Sequence, residues 1–481
     1  MLRKRRISAL ALLGLASLSL ASCSNKQTLL FLNWGEYIDE TMLDAFEQKY
    51  NCEVLMDLGD SNEIFYSKVR GGTTVYDVVC PSDYMVEKMY MYDMLQEIDF
   101  SRLTMSNFNP DSDNVRDGIK SINNDMDSNL KAKLGDAYQT GTIKNYYVPY
   151  LWGTWGIMYS TEKEGLEEAV TKNTNQWASL FDRSSLPSGT RVAMYDSNQH
   201  AYYAASRYFE HSEPLDLPYG TELSDKDLSR IQSLIQGMKY DAWGTDTIKK
   251  DIVAGNVDVG FMWTGDFLYY YCENAANVCM DAYLAGDVTF EEMNQMILDI
   301  TDSSKRIYEG KEDSYDIGFD CFIPDDTIAF CDNLVITKDA ANVDLAYKFI
   351  DFMTSYQTSL ELDEEGNEID VTTLDEDGIL TPCYTNTYYV DYDACQIDVY
   401  NTITDLKDYE FSADDISLFD EEVADGTDPY DSTLYWTFYD VVIGISFEKY
   451  YPIDTTKGEI LATFSRNYID LINRTFNNAR T

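Results

Sequence analysis

From residue 28 onward, short apolar runs alternate with stretches in which apolar side chains recur every three or four positions. Residues 29–33, 53–58 and 76–81 have the length and composition of strands, whereas 42–50, 62–70 and 84–95 carry a helical period. The resulting order, βαβαβα, predicts a parallel sheet flanked by helices. In the first helix Met42, Leu43, Phe46 and Tyr50 share one face, and Asp39 stands where a carboxylate can accept the free amide hydrogens of the first turn. A second α/β region opens near Tyr147. Its pattern predicts a strand at 192–195, helices at 199–209, 227–238 and 247–254, and a strand at 257–263. At the far end, residues 458–478 read as a helix whose apolar stripe is Ile460, Leu461, Phe464, Tyr468, Leu471 and Ile472. The acidic, weakly apolar segments 111–129, 303–316, 362–378 and 412–431 read as solvated loops or insertions.

The beginning of the chain carries a different signal. Arg3, Lys4, Arg5 and Arg6 precede an apolar run over 7–21 that stops at Leu20-Ala21-Ser22-Cys23. This is the pattern of a secretory leader ending in a lipobox, with residues 1–22 removed and Cys23 becoming the lipidated terminus. The run is shorter than the roughly 20 residues that span a bilayer, and no later uncharged window reaches that length. The rest of the 481 residues is therefore expected to lie outside the membrane, in two large lobes.

Charge narrows the class of partner. Asp and Glu number 84 against 36 Lys and Arg, a formal charge of −48, and loss of the leader's four cations makes it more negative. Such a surface repels nucleic acid and draws in cations. Of nine cysteines, those other than Cys23 are Cys52, Cys80, Cys272, Cys279, Cys321, Cys331, Cys383 and Cys395. Their even count permits disulfides outside the cytoplasm, but no repeated spacing assigns a pairing, and Cys80 sits in an apolar run. Neither histidine, His200 or His211, belongs to a ligand-spaced cluster, so no metal site is expected. The stretches 363–366 and 375–378 resemble fragments of calcium loops without the full ligand spacing.

Open parallel sheets bind ligands at the carboxyl ends of their strands. Here those ends read Asn33-Trp34-Gly35-Glu36-Tyr37, Pro81-Ser82-Asp83-Tyr84, Tyr195-Asp196, Trp263-Thr264-Gly265-Asp266 and Phe330-Cys331-Asp332-Asn333. Carboxylates supply charge-assisted hydrogen bonds to an ammonium group, and ring faces cover the methylenes between amines. Taken singly, Trp34, Tyr37 and Trp263 also fit as core aromatics, and Asp196, Asp266 and Asp332 as helix caps. No Gly-x-Ser-x-Gly turn or triad pattern is present, and catalysis is not expected.

At these residues the chain resembles the spermidine/putrescine-binding proteins of bacterial ABC importers. The resemblance covers most of 28–385 through the blocks at Trp34, Ser61-Asn62-Glu63 with Tyr66 and Lys68, Tyr76 to Tyr84, Pro149-Tyr150-Leu151-Trp152-Gly153, and Met262-Trp263-Thr264-Gly265. It implies an α/β, type II periplasmic-binding-protein fold: two α/β lobes joined by crossing strands near Pro149-Tyr150 and Phe330-Asp332, closing on a ligand cleft. Residues 23–148 plus 331–385 would form lobe 1, and 149–330 plus 386–481 lobe 2. It further implies an extracytoplasmic, monomeric receptor with no cofactor, held to the membrane by lipid on Cys23. Such a receptor captures putrescine or spermidine for an ABC permease. The alternative is a type II receptor for another cationic small molecule or a metal. Carried over, Trp34, Glu36 and Tyr37 form the first binding loop, and Ser82, Asp83 and Tyr84 the second. Asp196 faces them, Trp263 forms a wall, and Phe330 with Asp332 grips an amine. Asp266 matches the acid of putrescine-preferring members, and Gln199 stands where spermidine-binding relatives have a glutamate. Ile379 replaces a common tyrosine before Thr381-Pro382, and the insertions over 274–314 and after 362 depart from compact members. Free carboxylates titrate near ~4, so amine binding is expected to be full at neutrality and to fail only in acid.

Overall fold

The computed structural model describes residues 26–103, 109–245, 247–302, 317–356, 382–452, 458, 460–462 and 464–480, with the backbone alone of 361–362 and 368–369. The leader, Cys23, the run 303–316, the calcium-like stretches, Ile379 and Thr381 lie outside the described residues.

The first half of the sheet forms as the pattern predicts. Strand β1 (Gln27–Asn33) pairs in parallel with β2 (Cys52–Leu58) and β3 (Val78–Val79). Leu29, Phe31 and Leu32 of β1 are fully or almost fully buried. The crossover helix Glu40–Tyr50 covers them with Met42 and Phe46, and Asp39 caps it by accepting from the Thr41 amide. Phe31 and Phe46 both meet Phe349 from helix Val343–Met353, at ring separations of 4.8 and 5.1 Å.

The sheet as a whole is mixed, with the crossing strands antiparallel to their neighbours. Strand β4 (Val148–Ser160) is buried over its whole length and runs antiparallel to four partners, one of them the short strand Asp393–Ala394. Its first half pairs with β9 (Ala329–Ile336), which is itself antiparallel to β3. Its second half pairs with β7 (Val259–Trp263) and β8 (Phe319–Phe322). Beyond β7, a parallel bridge at Val192↔Val259 leads to β5 (Ala193–Tyr195), which is parallel to β6 (Ala242–Gly244). One strand thus threads both ladders, and β9 returns beside it. Burial patterning gives strand positions but not the direction of a strand that returns late in the chain.

Three helical readings are corrected. Segment 111–129, expected to be solvated, contains helix Asp117–Leu134, which buries Ile119, Ile122, Met126 and Leu130. Those four positions repeat at helical spacing beneath an acidic composition. Segment 412–431 is solvated but helical: Ala413–Ala424 starts in a capping box of Ser412 and Asp415 and buries only Phe419. The last helix begins at Arg466 because the Ser465 side chain accepts from the Tyr468 amide. Ile460 and Leu461 are buried ahead of it, and Tyr468 and Ile472 within it. The insertion from 274 continues helix Thr264–Ala285 and adds helix Met293–Thr301.

Candidate functional site

The strand ends converge on Asp332. This residue lies on β9, opposite Leu151 of β4, and is 4% exposed. The Ser82 hydroxyl donates to its Oδ1 at 2.5 Å. Asn62 fixes that hydroxyl: its Nδ2 donates to Ser82 Oγ at 2.9 Å, while its Oδ1 accepts from the Ser82 amide at 3.0 Å. The buried Tyr37 hydroxyl faces the carboxylate without a well-formed hydrogen bond. Burial pushes the Asp332 carboxyl up to about 7, against the opposing pull of Ser82 and Tyr37. Among the described residues, no Lys, Arg or His forms an ion pair with it.

Aromatic rings line the space beside this carboxylate. Trp263 at the end of β7 meets Phe330 edge-on at 4.8 Å, and its indole nitrogen donates to the Tyr195 hydroxyl at 3.1 Å. Trp155 supports Trp263 from behind at 4.5 Å and stacks on His200 at 4.3 Å. Tyr392 closes the ring of side chains, 5.0 Å from Tyr37 and 6.0 Å from Phe330. Its approach requires Gly265, where any Cβ would collide with the Tyr392 ring. Thr264 pins this helix start to the crossing strand, donating to the Thr154 carbonyl at 2.9 Å and accepting from its amide at 3.0 Å.

Acidic groups at the rim are already partnered. Asp266 accepts from the Lys249 ammonium at 2.8 Å, and Glu36 stands 3.9 Å from the same ammonium. Glu36 is exposed and adopts a left-handed backbone, φ +53°. Glu63 accepts from the Tyr84 hydroxyl at 3.3 Å and from Gln199 Nε2 at 3.1 Å. Gln199 and Lys249 belong to the β5–β7 side and Glu63 and Glu36 to the β1–β3 side, so these contacts bridge the mouth. Tyr37, Ser82, Phe330 and Asp332 beneath them are all buried.

Two expected site residues do other work. Asp83 turns inward, accepting from the Cys331 amide at 2.8 Å and from the Tyr84 amide at 2.5 Å, and clasps the helix start to β9. Its burial raises its carboxyl to about 8. Asp196 is exposed and paired with Arg480 at 2.6 Å, with that guanidinium lying 4.0 Å over Trp243. Neither offers an open carboxylate to the box. Trp34 packs on Phe65 at 4.3 Å, and its buried indole nitrogen has no hydrogen-bond acceptor. The sequence reading missed Glu63, Lys249, Tyr195 and Tyr392 as site residues. Tyr195 and Glu63 stand in motifs already noted, whereas Lys249 reads as an ordinary helix lysine and Tyr392 arrives from a distant segment.

The eight described cysteines are buried thiols, with Cys331 Sγ 3.5 Å from Cys395 Sγ. Among the described residues no group of three or more His, Cys, Asp or Glu could hold a metal ion, and no helix is long and apolar enough to cross a membrane.

A mixed sheet with two long strands shared between ladders, and strand ends meeting around one buried acid, is the architecture of a type II periplasmic binding protein. The structure is similar to the spermidine/putrescine ABC transporter substrate-binding protein of Streptococcus pneumoniae, with a TM-score of 0.52 and 17% identity, covering 95% of this chain and 99% of that one. In sequence the chain is 26% identical over 250 residues to the spermidine/putrescine-binding periplasmic protein of Escherichia coli. That match covers 52% of this chain and 62% of the relative, less than two thirds of its length. It is also 25% identical over 369 residues to the putrescine/cadaverine-binding protein of Pseudomonas aeruginosa, covering 75% of this chain and 83% of that one. Residues 2–185 match the hypothetical lipoprotein family described as the MG045 family. The resemblance read from the sequence and these relatives agree.

Proposed function

We propose that this protein is an extracytoplasmic receptor that captures a polyamine of the putrescine or spermidine kind and delivers it to an ABC permease. One observation carries the reading: Asp332 is a carboxylate buried among Tyr37, Trp263, Phe330 and Tyr392 with no cation paired to it among the described residues. An ionised carboxylate in such a place is costly unless an ammonium joins it, and ring faces stabilise that ammonium by ~0.5–2 kcal/mol per contact. The relatives, which bind spermidine, putrescine or cadaverine by name, support the same ligand class.

Within this proposal, residues 23–148 with 331–385 form one lobe and 149–330 with 386–481 the other, hinged where β4 and β9 pair. Contacts such as Glu63 with Gln199 close the mouth over the ligand. Cys23 carries the lipid anchor, and the protein works as a monomer.

Calorimetric titration of the fragment following Cys23 with putrescine, cadaverine, spermidine and spermine, with a neutral sugar as control, tests the reading. Saturable binding of at least one polyamine and none of the sugar is expected. Equal binding of the sugar, or no polyamine binding, would overturn it.

A further inference from the structure

Asp266 is an acid that already holds an ammonium. Lys249, on helix Thr247–Val253, is 5% exposed and donates to Asp266 Oδ1 at 2.8 Å. Asp266 lies in the first turn of the helix that follows Trp263, and the charges of both Asp266 and Asp332 act on the Tyr392 hydroxyl. Gly265, next to Asp266, packs against the Tyr392 ring, and Phe330, two residues before Asp332 on β9, lies 6.0 Å from the same ring, so the segments carrying the two acids meet at Tyr392. At Asp332 no cation is paired among the described residues, whereas at Asp266 the protein's own lysine occupies the position of a ligand amine.

A tethered group competes at the effective concentration of its tether, in the millimolar range for short flexible links, which no free ligand need match. Two ammonium groups on one carboxylate also repel each other. On the polyamine reading above, we infer that Lys249 is a specificity-determining residue: its ammonium fills the Asp266 subsite, and a ligand's second amine binds there only by displacing it. Glu36, exposed and 3.9 Å from the ammonium, receives the displaced lysine. The wild-type site consequently holds one amine of the ligand at Asp332 and binds putrescine more weakly than it would with the Asp266 subsite open.

The test is calorimetric titration of the fragment following Cys23 as wild type, Lys249→Met, Asp266→Asn and the double variant, each with putrescine and with n-butylamine. Lys249→Met should tighten putrescine about tenfold or more while butylamine stays within about threefold. Asp266→Asn should cancel the gain in Lys249→Met. Unchanged or weaker putrescine binding to a folded Lys249→Met protein would overturn the inference. So would a gain that persists in the double variant, and Lys249→Gln, expected to gain likewise, decides the matter should Lys249→Met fail to fold. Failure of putrescine to bind any of these proteins would instead count against the polyamine reading on which the inference rests.

Discussion

The Ser82 hydroxyl reaches across 250 residues of chain to donate to Asp332 at 2.5 Å, joining the helix start after β3 to the returning strand β9. This bond stabilises the ionised carboxylate against the burial that favours its protonated form. Ser82→Ala should therefore raise the Asp332 pKa further and weaken amine binding at pH 7 by about tenfold, the worth of one charge-assisted hydrogen bond. Titration at pH 7 and pH 9 checks this, since the deficit should shrink at the higher pH.

Replacing Asp332 with Asn should stabilise the empty protein in alkali. The carboxyl rises from near 3.8 to about 7 on folding, so its contribution is fully present below pH ~4 and is lost as pH rises through 7. Above pH 8 the ionised group costs on the order of 4 kcal/mol, a cost that Asn does not incur. Thermal midpoints should match at pH 4 and favour Asp332→Asn at pH 8.5. A lower midpoint for the variant at both pH values would show that Asp332 is held ionised by something else.

The pH dependence of binding moves with it. Ordinary carboxylate values place the loss of affinity below pH ~4, but an Asp332 carboxyl near 7 shifts it to neutrality. Affinity should fall close to tenfold per pH unit below ~7 and level off above, with about one proton released per amine bound at pH 6. Calorimetry in two buffers of different ionisation enthalpy counts that proton. Affinity that stays flat down to pH 5 would refute the shift.

Stability rests partly on a buried pair beside the box, at the residue that follows Tyr392. Arg116 is 1% exposed, paired with Asp393, bonded to the Tyr451 carbonyl and stacked 4.0 Å over Tyr400. Trp152 also donates to Asp393 at 2.7 Å. Arg116→Ala leaves that carboxylate buried without its cation and should lower unfolding stability by ~3–5 kcal/mol. Urea denaturation measures the loss, and a change under ~1 kcal/mol would mean that the pair is solvated.

The sequence carried the strand ends well because their identity depends on local pattern. Trp34, Tyr37, Ser82, Trp263, Phe330 and Asp332 each follow or sit in a recognisable apolar run, and the resemblance named them together. What it could not carry was pairing between remote segments. Asp196 looked like a cleft acid until the helix Arg466–Ala479 brought Arg480 to it. Asp83 looked like its neighbours Ser82 and Tyr84, yet the return of β9 gave it the Cys331 amide to hold. Lys249 has no local signature because only the fold places it beside Asp266. The direction of β4 and β9 has no local signature for the same reason: they find their partners far along the chain.

On the polyamine reading, the Asp332 carboxylate grips the ligand's ammonium. Putrescine titrated at pH 8 into wild type and Asp332→Asn, side by side and with folding verified, tests it most directly. Removal of the charge from a buried pair should lower affinity by two or more decades, the equivalent of ~3–5 kcal/mol. Affinities within about threefold of each other would contradict the claim and move the amine site away from Asp332.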